Sequence, residues 1–239
     1  MNATALLKTS VRVGVGTVAL TAFSFISNVA SSDAANITSL SNTGVDATGT
    51  PLADMTIGDP HYQIISAPGG STTTIRVRTA ASNFPIPPWI GNNPTSAWIG
   101  PNNANNLDGP VGDYTYRTTF DLTGFVPSTA QITGQWSADN RGIRILLNGV
   151  DTLNPPTPFN IFNTGFEPFS INSGFIPGIN ILDFVVSNTA GSAINPTGLR
   201  VEMVGHAEKI PTPALLPGLI GMGAAAIRKK AKKTGSLAD

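Results

Sequence analysis

The chain lacks cysteine altogether and has only two histidines, His61 and His206, among its 239 residues. The absence of cysteine excludes disulfides, a thiolate nucleophile and a cysteine-ligated metal, so the folded chain depends on packing for its stability. Two histidines so far apart in sequence also disfavour a histidine-based metal cluster. Serine occurs without a Gly-x-Ser-x-Gly motif, and no acid lies in a recognisable glycosidase motif. These absences predict a protein that is not an enzyme.

Lysine is nearly absent from the first 208 residues, where Lys8 is the one example. Residues 35–208 contain six arginines and twelve acids, which gives a formal charge of 6 − 12 = −6. An acidic, lysine-free surface argues against nucleic-acid binding, because phosphate recognition needs clustered basic side chains. The net charge of zero for the whole chain therefore averages an acidic body and basic ends, which indicates segments with separate roles.

The N-terminus has the order of a secretory signal peptide. Lys8 and Arg12 precede an apolar stretch at residues 13–26, and the small-x-small sequence Ser32-Asp33-Ala34 follows. This pattern predicts that residues 1–34 are a signal peptide, cut by signal peptidase after Ala34. Cleavage after Ala30 is a second option, disfavoured because Asn28 would then stand at the −3 position. An N-terminal amphipathic helix of the mature domain is the alternative interpretation.

The C-terminal residues 208–239 have three parts in order. A proline motif at residues 211–214 leads into the uncharged run 214–227, and a basic tail follows at 228–233. As a helix the run would span roughly 21 Å, against a bilayer core of about 30 Å. Its glycines and Pro217 weaken such a helix, while the basic tail favours a cytoplasmic end. We expect a marginal span that holds the chain in the inner membrane only transiently.

Pro211-Thr212-Pro213-Ala214, the apolar run and Arg228-Lys229-Lys230 together resemble a PEP-CTERM-type sorting tail in its PTPA variant. The resemblance implies processing by a membrane-embedded exosortase-type transpeptidase in a Gram-negative bacterium that makes exopolysaccharide. The chain departs from that pattern at Thr212, where the family usually has an acid, and in its continuation to Asp239. An ordinary single-span anchor is the alternative.

Between the two ends, a lead-in at residues 35–58 and a body at 59–207 are predicted to form one all-β sandwich. Glycine and proline separate short alternating runs, and no convincing amphipathic helix is present. The clearest run is residues 113–122, which places Tyr114, Tyr116, Phe120 and Leu122 on one face. We expect about eight strands; the others lie at residues 61–65, 73–79, 131–136, 142–148, 166–171, 180–188 and 199–205.

Two turns are predicted from local residue types. Asp139-Asn140-Arg141-Gly142 tolerates positive φ, so the strands at 131–136 and 142–148 are expected to form a hairpin. In that arrangement Ile143, Ile145 and Leu147 share one side. Asn148-Gly149 signals a second tight turn.

Several motifs resemble the galactose-binding-like jelly roll found in carbohydrate-binding modules. The motifs are Tyr114-x-Tyr116-Arg117-x-x-Phe120-Asp121-Leu122, Gly134-x-Trp136-x-x-Asp139-Asn140-x-Gly142 and Leu147-Asn148-Gly149, with Gly178-x-Asn180-x-Leu182-x-Phe184 and Asn195-Pro196-x-Gly198-Leu199 after them. The resemblance implies a jelly-roll sandwich and a sugar-binding role, although the matching residues are mostly those of core and turns.

The long segment at residues 83–109 repeats Trp-Ile-Gly, and each copy is followed by asparagines. Indole faces and amide groups suit a neutral sugar, so Trp89, Trp98, Asn92 and Asn102 are candidate ligand-binding residues. The alternative is that both tryptophans anchor the loop or the core, as is expected of Trp136.

Asp139, Asn140 and Arg141 are the second candidate ligand-binding group, since they would lie together at a hairpin tip. They would orient a sugar hydroxyl, or they would fix the turn by local hydrogen bonds. No cofactor is expected. A structural Ca²⁺ ion is left open by the aspartates Asp54, Asp59, Asp108 and Asp113, although no spaced Asp-x-Asp-x-Asp loop is present.

The sequence thus predicts an exported, non-enzymatic protein of the cell surface or extracellular matrix that associates with exopolysaccharide. A structural or adhesive protein without a defined ligand is one alternative, favoured if both Trp89 and Trp98 are buried. A glycan-acting enzyme is another, and it needs two carboxylates in one cleft.

Overall fold

The structure, a computed structural model, describes residues 33–69, 71–80, 84–189 and 194–211. Residues 1–32 of the predicted signal peptide, and residues 212–239 of the predicted sorting segment with its apolar run and basic tail, lie outside the described residues. Within these four ranges no helix has the length and apolarity needed to cross a bilayer.

The described residues form eleven β-strands and two short 3₁₀ helices at Pro127–Thr129 and Ile161–Asn163. The strands are β1 Ala34–Asn36, β2 Gln63–Ser66, β3 Ile75–Arg78, β4 Trp98–Pro101, β5 Gly112–Asp121, β6 Gln131–Asp139, β7 Arg141–Leu147, β8 Val150–Asp151, β9 Glu167–Ile171, β10 Ile179–Asn188 and β11 Gly198–Glu208. Each strand predicted from alternation is present to within a few residues. The short β1, β4 and β8 are additional.

The strands form two antiparallel sheets, so the all-β sandwich is confirmed. One sheet has the order β3-β4-β11-β6-β9, and β1 pairs with the C-terminal end of β11. The other has the order β2-β5-β10-β7-β8. The long strands alternate between the two sheets along the chain from β5 to β7 and again from β9 to β11.

The core lies between the two sheets and contains the predicted face of β5. Tyr114, Tyr116, Phe120 and Leu122 are all buried. From the neighbouring strand β10, Phe184 contributes a ring that meets Trp136 of the opposite sheet, with 5.7 Å between ring centroids. Burial of each such side chain stabilises the fold by about 1.5–3 kcal/mol, so the firm register of β5 has a clear physical cause.

The predicted hairpin between β6 and β7 is wrong. The two strands belong to different sheets, because β6 pairs with β11 and β9 while β7 pairs with β10 and β8. The chain crosses from one sheet to the other at Asn140. There the Asn140 backbone N–H donates to the Ser187 carbonyl at 3.1 Å, and its side-chain oxygen accepts from the Thr189 N–H at 2.8 Å.

Gly142 shows why the two strands face each other instead of lying side by side. The Trp136 ring packs directly on Gly142, where an added Cβ would come within 2.3 Å of the indole. Turn-forming residues at 139–142 suit a crossover between sheets as well as a hairpin. Packing of the indole against the opposite sheet decides between them.

The prediction that Ile143 shares one side of the strand with Ile145 and Leu147 is also wrong. Gly142 pairs with Val186 and Arg144 pairs with Val185, so Ile143 is one extra residue in β7. Such a β-bulge changes which side chains face the core. Ile145 and Leu147 remain buried as predicted, whereas Ile143 is only half-buried.

The turn at Asn148-Gly149 is confirmed. It joins Leu147 of β7 to Val150 of β8 as a two-residue loop. Asn148 has φ of 52° and Gly149 has φ of 81°, the positive values that a type I′ hairpin turn requires.

A second hydrophobic cluster covers the outer face of the six-stranded sheet, outside the sandwich. Its buried members are Ile86, Trp89, Trp98 and Leu107. The Trp89 ring packs on β11 at Gly198, where an added Cβ would approach the indole to 2.6 Å. The tryptophan-rich segment is thus held on the sheet by packing of its own.

Candidate functional site

Both tryptophans of the repeated Trp-Ile-Gly sequence are buried, with relative exposures of 2% for Trp89 and 0% for Trp98. Their ring centroids are 4.4 Å apart. Trp98 Nε1 donates to the Ile90 carbonyl at 2.9 Å, and Trp89 Nε1 donates to Asp139 Oδ2 at 2.7 Å. In this conformation neither indole offers a free face on which a sugar could stack.

The candidate asparagines tie the same segment to the sheet. Asn92 donates to the Arg78 carbonyl at 2.9 Å and accepts from the Trp98 N–H at 3.0 Å. Asn102 Oδ1 accepts from Arg76 Nε at 2.5 Å. Asn92 therefore supports the loop through both of its amide atoms, and Asn102 supports it through its oxygen.

Asp139 lies at the end of β6, next to Trp89, and is buried beside that indole. Burial raises the pKa of Asp139 to about 7, although the Trp89 hydrogen bond acts in the opposite direction. Asp139 Oδ1 has no hydrogen-bond partner among the described residues. Carboxyls with raised pKa values are frequent at functional sites, but the 5% exposure of Asp139 keeps a ligand from reaching it here.

Three of the four aspartates considered for Ca²⁺ are engaged in separate local contacts. Asp54 forms an ion pair with Arg78 at 3.0 Å. Asp59 accepts from the backbone N–H groups of Gly44, His61 and Tyr62, and Asp108 accepts from that of Asn195. Within the described ranges no three His, Asp or Glu side chains come together in a group able to hold a metal.

Arg141 is the predicted site residue that lies at an open concave surface, a pocket of about 260 Å³ that we name the β7 pocket. The pocket is lined by Arg141, Ile143, Pro156, Phe159 and Ser187. The Arg141 guanidinium carbon lies 5.1 Å from the centre of the Phe159 ring. Arg141 Nε donates to the Thr157 carbonyl at 3.0 Å, which fixes the side chain.

Phe159 is 58% exposed, so one face of its ring is accessible beside the cation. A guanidinium packed on an aromatic ring gains a modest cation–π attraction and stays rigid. The β7 pocket therefore combines an apolar ring, a positive charge and the Ser187 hydroxyl in one small volume. The side chain of Asn140, the neighbouring candidate, accepts a hydrogen bond from the Thr189 backbone N–H and does not line the pocket.

A second concavity, the Glu202 trough, lies on the outer face of the six-stranded sheet and has a volume of about 450 Å³. It is lined by Asn42, Thr95, Thr133, Gly134, Gln135, Pro168, Glu202, Met203 and Val204. Burial raises the pKa of Glu202, but hydrogen bonds from Ser96, Gln135 and Asn93 outweigh it and bring the pKa below its ordinary value. Glu202 is also paired with Arg200 at 3.2 Å. These bonds make Glu202 part of the support for the loop at 91–97.

Sequence reasoning found Arg141 and missed Phe159, Pro156 and Ser187. Phe159 follows three prolines at residues 155–158, in a stretch without the alternation of apolar and polar residues that predicts a strand. The feature that could have identified Phe159 as a candidate is the aromatic side chain itself, a large apolar residue in a polar, proline-rich connection. Ser187 was assigned to a strand correctly, but its position opposite Arg141 depends on pairing between distant segments.

No protein-family model matches this chain, and no curated protein is significantly similar to it.

Proposed function

We propose that the chain is an exported, non-enzymatic protein of the cell surface or extracellular matrix that associates with exopolysaccharide through the β7 pocket. The observation that carries the proposal is the accessible Phe159 ring beside the fixed Arg141 guanidinium. Sugar C–H groups pack on aromatic faces, and hydroxyl or acidic groups accept hydrogen bonds from a guanidinium. None of the five residues that line the pocket is acidic, which suits binding better than hydrolysis.

The proposal includes a jelly-roll topology for the sandwich. Its support is the alternation of the long strands between the sheets, with β5, β7 and β10 in one sheet and β6, β9 and β11 in the other. Crossing between two packed antiparallel sheets is the pattern that jelly rolls share.

Delivery by the chain's ends is a separate part of the proposal. Signal peptidase would cut after Ala34, which is the first residue of β1, and an exosortase-type enzyme would act at the motif that begins at Pro211. The test is the mass of the protein recovered from its producing cell, compared with that of the full translation. A deletion of residues 211–233 should release the domain or abolish processing. Unchanged size and unchanged membrane retention would contradict delivery by this segment.

The binding part is tested by electrophoresis of the full chain in gels that contain a panel of acidic and neutral polysaccharides. Phe159→Ala should weaken retardation by on the order of fivefold, the value of one aromatic contact. Phe84→Ala is the matched control, because Phe84 is also an exposed phenylalanine, at 46%, and does not line the β7 pocket. Equal behaviour of the two variants, or no retardation in any gel, would contradict glycan binding at this pocket.

A structural or adhesive role without a ligand is the second candidate. The specific observation that favours it is the burial of Trp89 and Trp98, which removes the aromatic surface on which the sequence prediction depended. The same gels distinguish the two, since this candidate predicts no retardation by any polysaccharide.

A further inference from the structure

The bulge in β7 places two arginines on the same outer face of the five-stranded sheet. Residues three apart in a regular strand point to opposite faces. Here the extra residue Ile143 shifts the phase, so that Arg141 lies opposite Ser187 and Arg144 lies opposite Val185. Ser187 and Val185 are two residues apart on β10, and the two arginine backbones are therefore roughly 7 Å apart along the sheet.

Neither arginine is neutralised within the described part of the chain. The ion pairs found there involve Arg78, Arg117 and Arg200. Arg76, on β3 of the six-stranded sheet, instead donates to the side chains of Asn102 and Asn105. Arg141 and Arg144 thus present two unpaired cations on a body whose segment 35–208 carries a formal charge of −6.

The acids on the same outer face leave this pair with a net positive charge. Asp151 of β8 lies opposite Leu146, two residues along β7 from Arg144, and offsets part of that charge. Asp183 is engaged by Arg117 in a bidentate ion pair at 2.7 and 2.8 Å. Asp113 lies opposite Ser187 on the far side of β10, two strands from Arg141. That separation is roughly 10 Å, about one Debye length at ordinary ionic strength, so Asp113 offsets little of the local positive charge.

We propose that the outer face of β7 binds the carboxylate groups of an acidic polysaccharide, with Arg141 and Arg144 as the two anion-binding residues. This inference rests on the proposed function and names the ligand class for the same pocket. A guanidinium matches a carboxylate in a planar, two-bond geometry that lysine does not offer. Arg141 would bind the carboxylate of a sugar whose ring packs on Phe159, and Arg144 would bind a further carboxylate along the chain.

The experiment compares binding of the full chain to polygalacturonate, dextran sulfate and neutral dextran by titration at low and high salt. Wild type should bind polygalacturonate most tightly and lose affinity as salt rises. Arg141→Gln and Arg144→Gln should each weaken binding to polygalacturonate by about tenfold, the effect of one charged hydrogen bond. The double variant should bind polygalacturonate no more tightly than it binds neutral dextran. Arg141→Lys should recover only part of the loss.

The control is Arg76→Gln, which removes the same charge from the other sheet and should leave binding unchanged. Circular dichroism of every variant checks that the sandwich is intact. Three results would each overturn the assignment: wild-type affinity in the double variant, a loss in Arg76→Gln as large as that in Arg141→Gln, or tighter binding of wild type to dextran sulfate than to polygalacturonate. Binding to neutral dextran alone, unaffected by the arginines, would refute the acidic ligand and leave glycan association standing. No binding to any of the three would refute both.

Discussion

The buried carboxyl of Asp139 predicts an unusual dependence of stability on pH, which Asp139→Asn should remove. In the folded chain this carboxyl is buried and accepts a hydrogen bond from Trp89 Nε1, and its other oxygen has no partner among the described residues. Burial without a compensating charge favours the protonated form. Asparagine keeps an oxygen for the Trp89 N–H, has nearly the same shape and stays neutral at every pH.

The magnitude follows from the two pKa values. The pKa of Asp139 rises from 3.8 to about 7 on folding, which corresponds to about 4 kcal/mol at about 1.4 kcal/mol for each tenfold change in proton affinity. Because the folded state binds the proton more tightly, this stability is fully present below pH 3.8 and is lost as pH rises through about 7. The wild-type free energy of unfolding should therefore fall by up to about 4 kcal/mol between pH 4 and pH 8 relative to the variant.

Urea unfolding of both proteins, followed by tryptophan fluorescence at pH 4.5, 6 and 8, measures this difference. Asp113→Asn is the matched control, because Asp113 is an exposed aspartate on β5. The control should follow the wild-type pH profile. A gap between wild type and Asp139→Asn that is the same at pH 4.5 and at pH 8 would refute the burial of an uncompensated carboxyl at this position.

Three further substitutions test the packing. Gly142→Ala forces a methyl against the Trp136 ring and should lower the free energy of unfolding by about 1–3 kcal/mol; an unchanged urea midpoint would contradict the face-to-face crossing of β6 and β7. Trp98→Ala should cost about 3–5 kcal/mol and shift the emission of the remaining tryptophans to longer wavelength, whereas a dispensable indole would change neither. Arg117→Ala leaves the buried Asp183 carboxyl unpaired and should cost about 1–3 kcal/mol, most of which Asp183→Asn in the same chain should restore in denaturant titrations.

The all-β class and most strand positions could be predicted because their signal is local. In β5 each inward residue alternates with an outward one, and every inward apolar residue between 114 and 122 is buried. The signal for the two-residue turn at Asn148-Gly149 is equally local, because the turn needs positive φ at both positions and Asn-Gly favours those values.

Sheet membership was not predictable from the same kind of signal. The residues at 139–142 suit either a hairpin or a crossover, and the choice depends on where Trp136 packs. The bulge at Ile143 leaves no mark on the alternation of apolar residues, because isoleucine is acceptable in the core. Both features depend on pairing with β10, which is about forty residues further along the chain.

The candidate site could be predicted only in part for the same reason. Arg141 was recognised as a polar residue near a turn, but the register of β7 decides that it shares a face with Arg144. For the tryptophan pair the sequence left two interpretations open, a sugar-binding surface or an anchor of the loop, and in the structure the pair belongs to a second core. Indole rings serve both purposes, so burial had to be observed.

The pairing of β1 with β11 has a kinetic consequence. Ala35 lies opposite Ala207, so the six-stranded sheet cannot be completed until the ribosome has synthesised nearly the entire body. Pairings between such distant segments also form slowly, because a long loop must close, with a loss of entropy, before any stabilising contact forms. We therefore expect the six-stranded sheet to stay incomplete, with its core face exposed, until synthesis of the body is nearly finished.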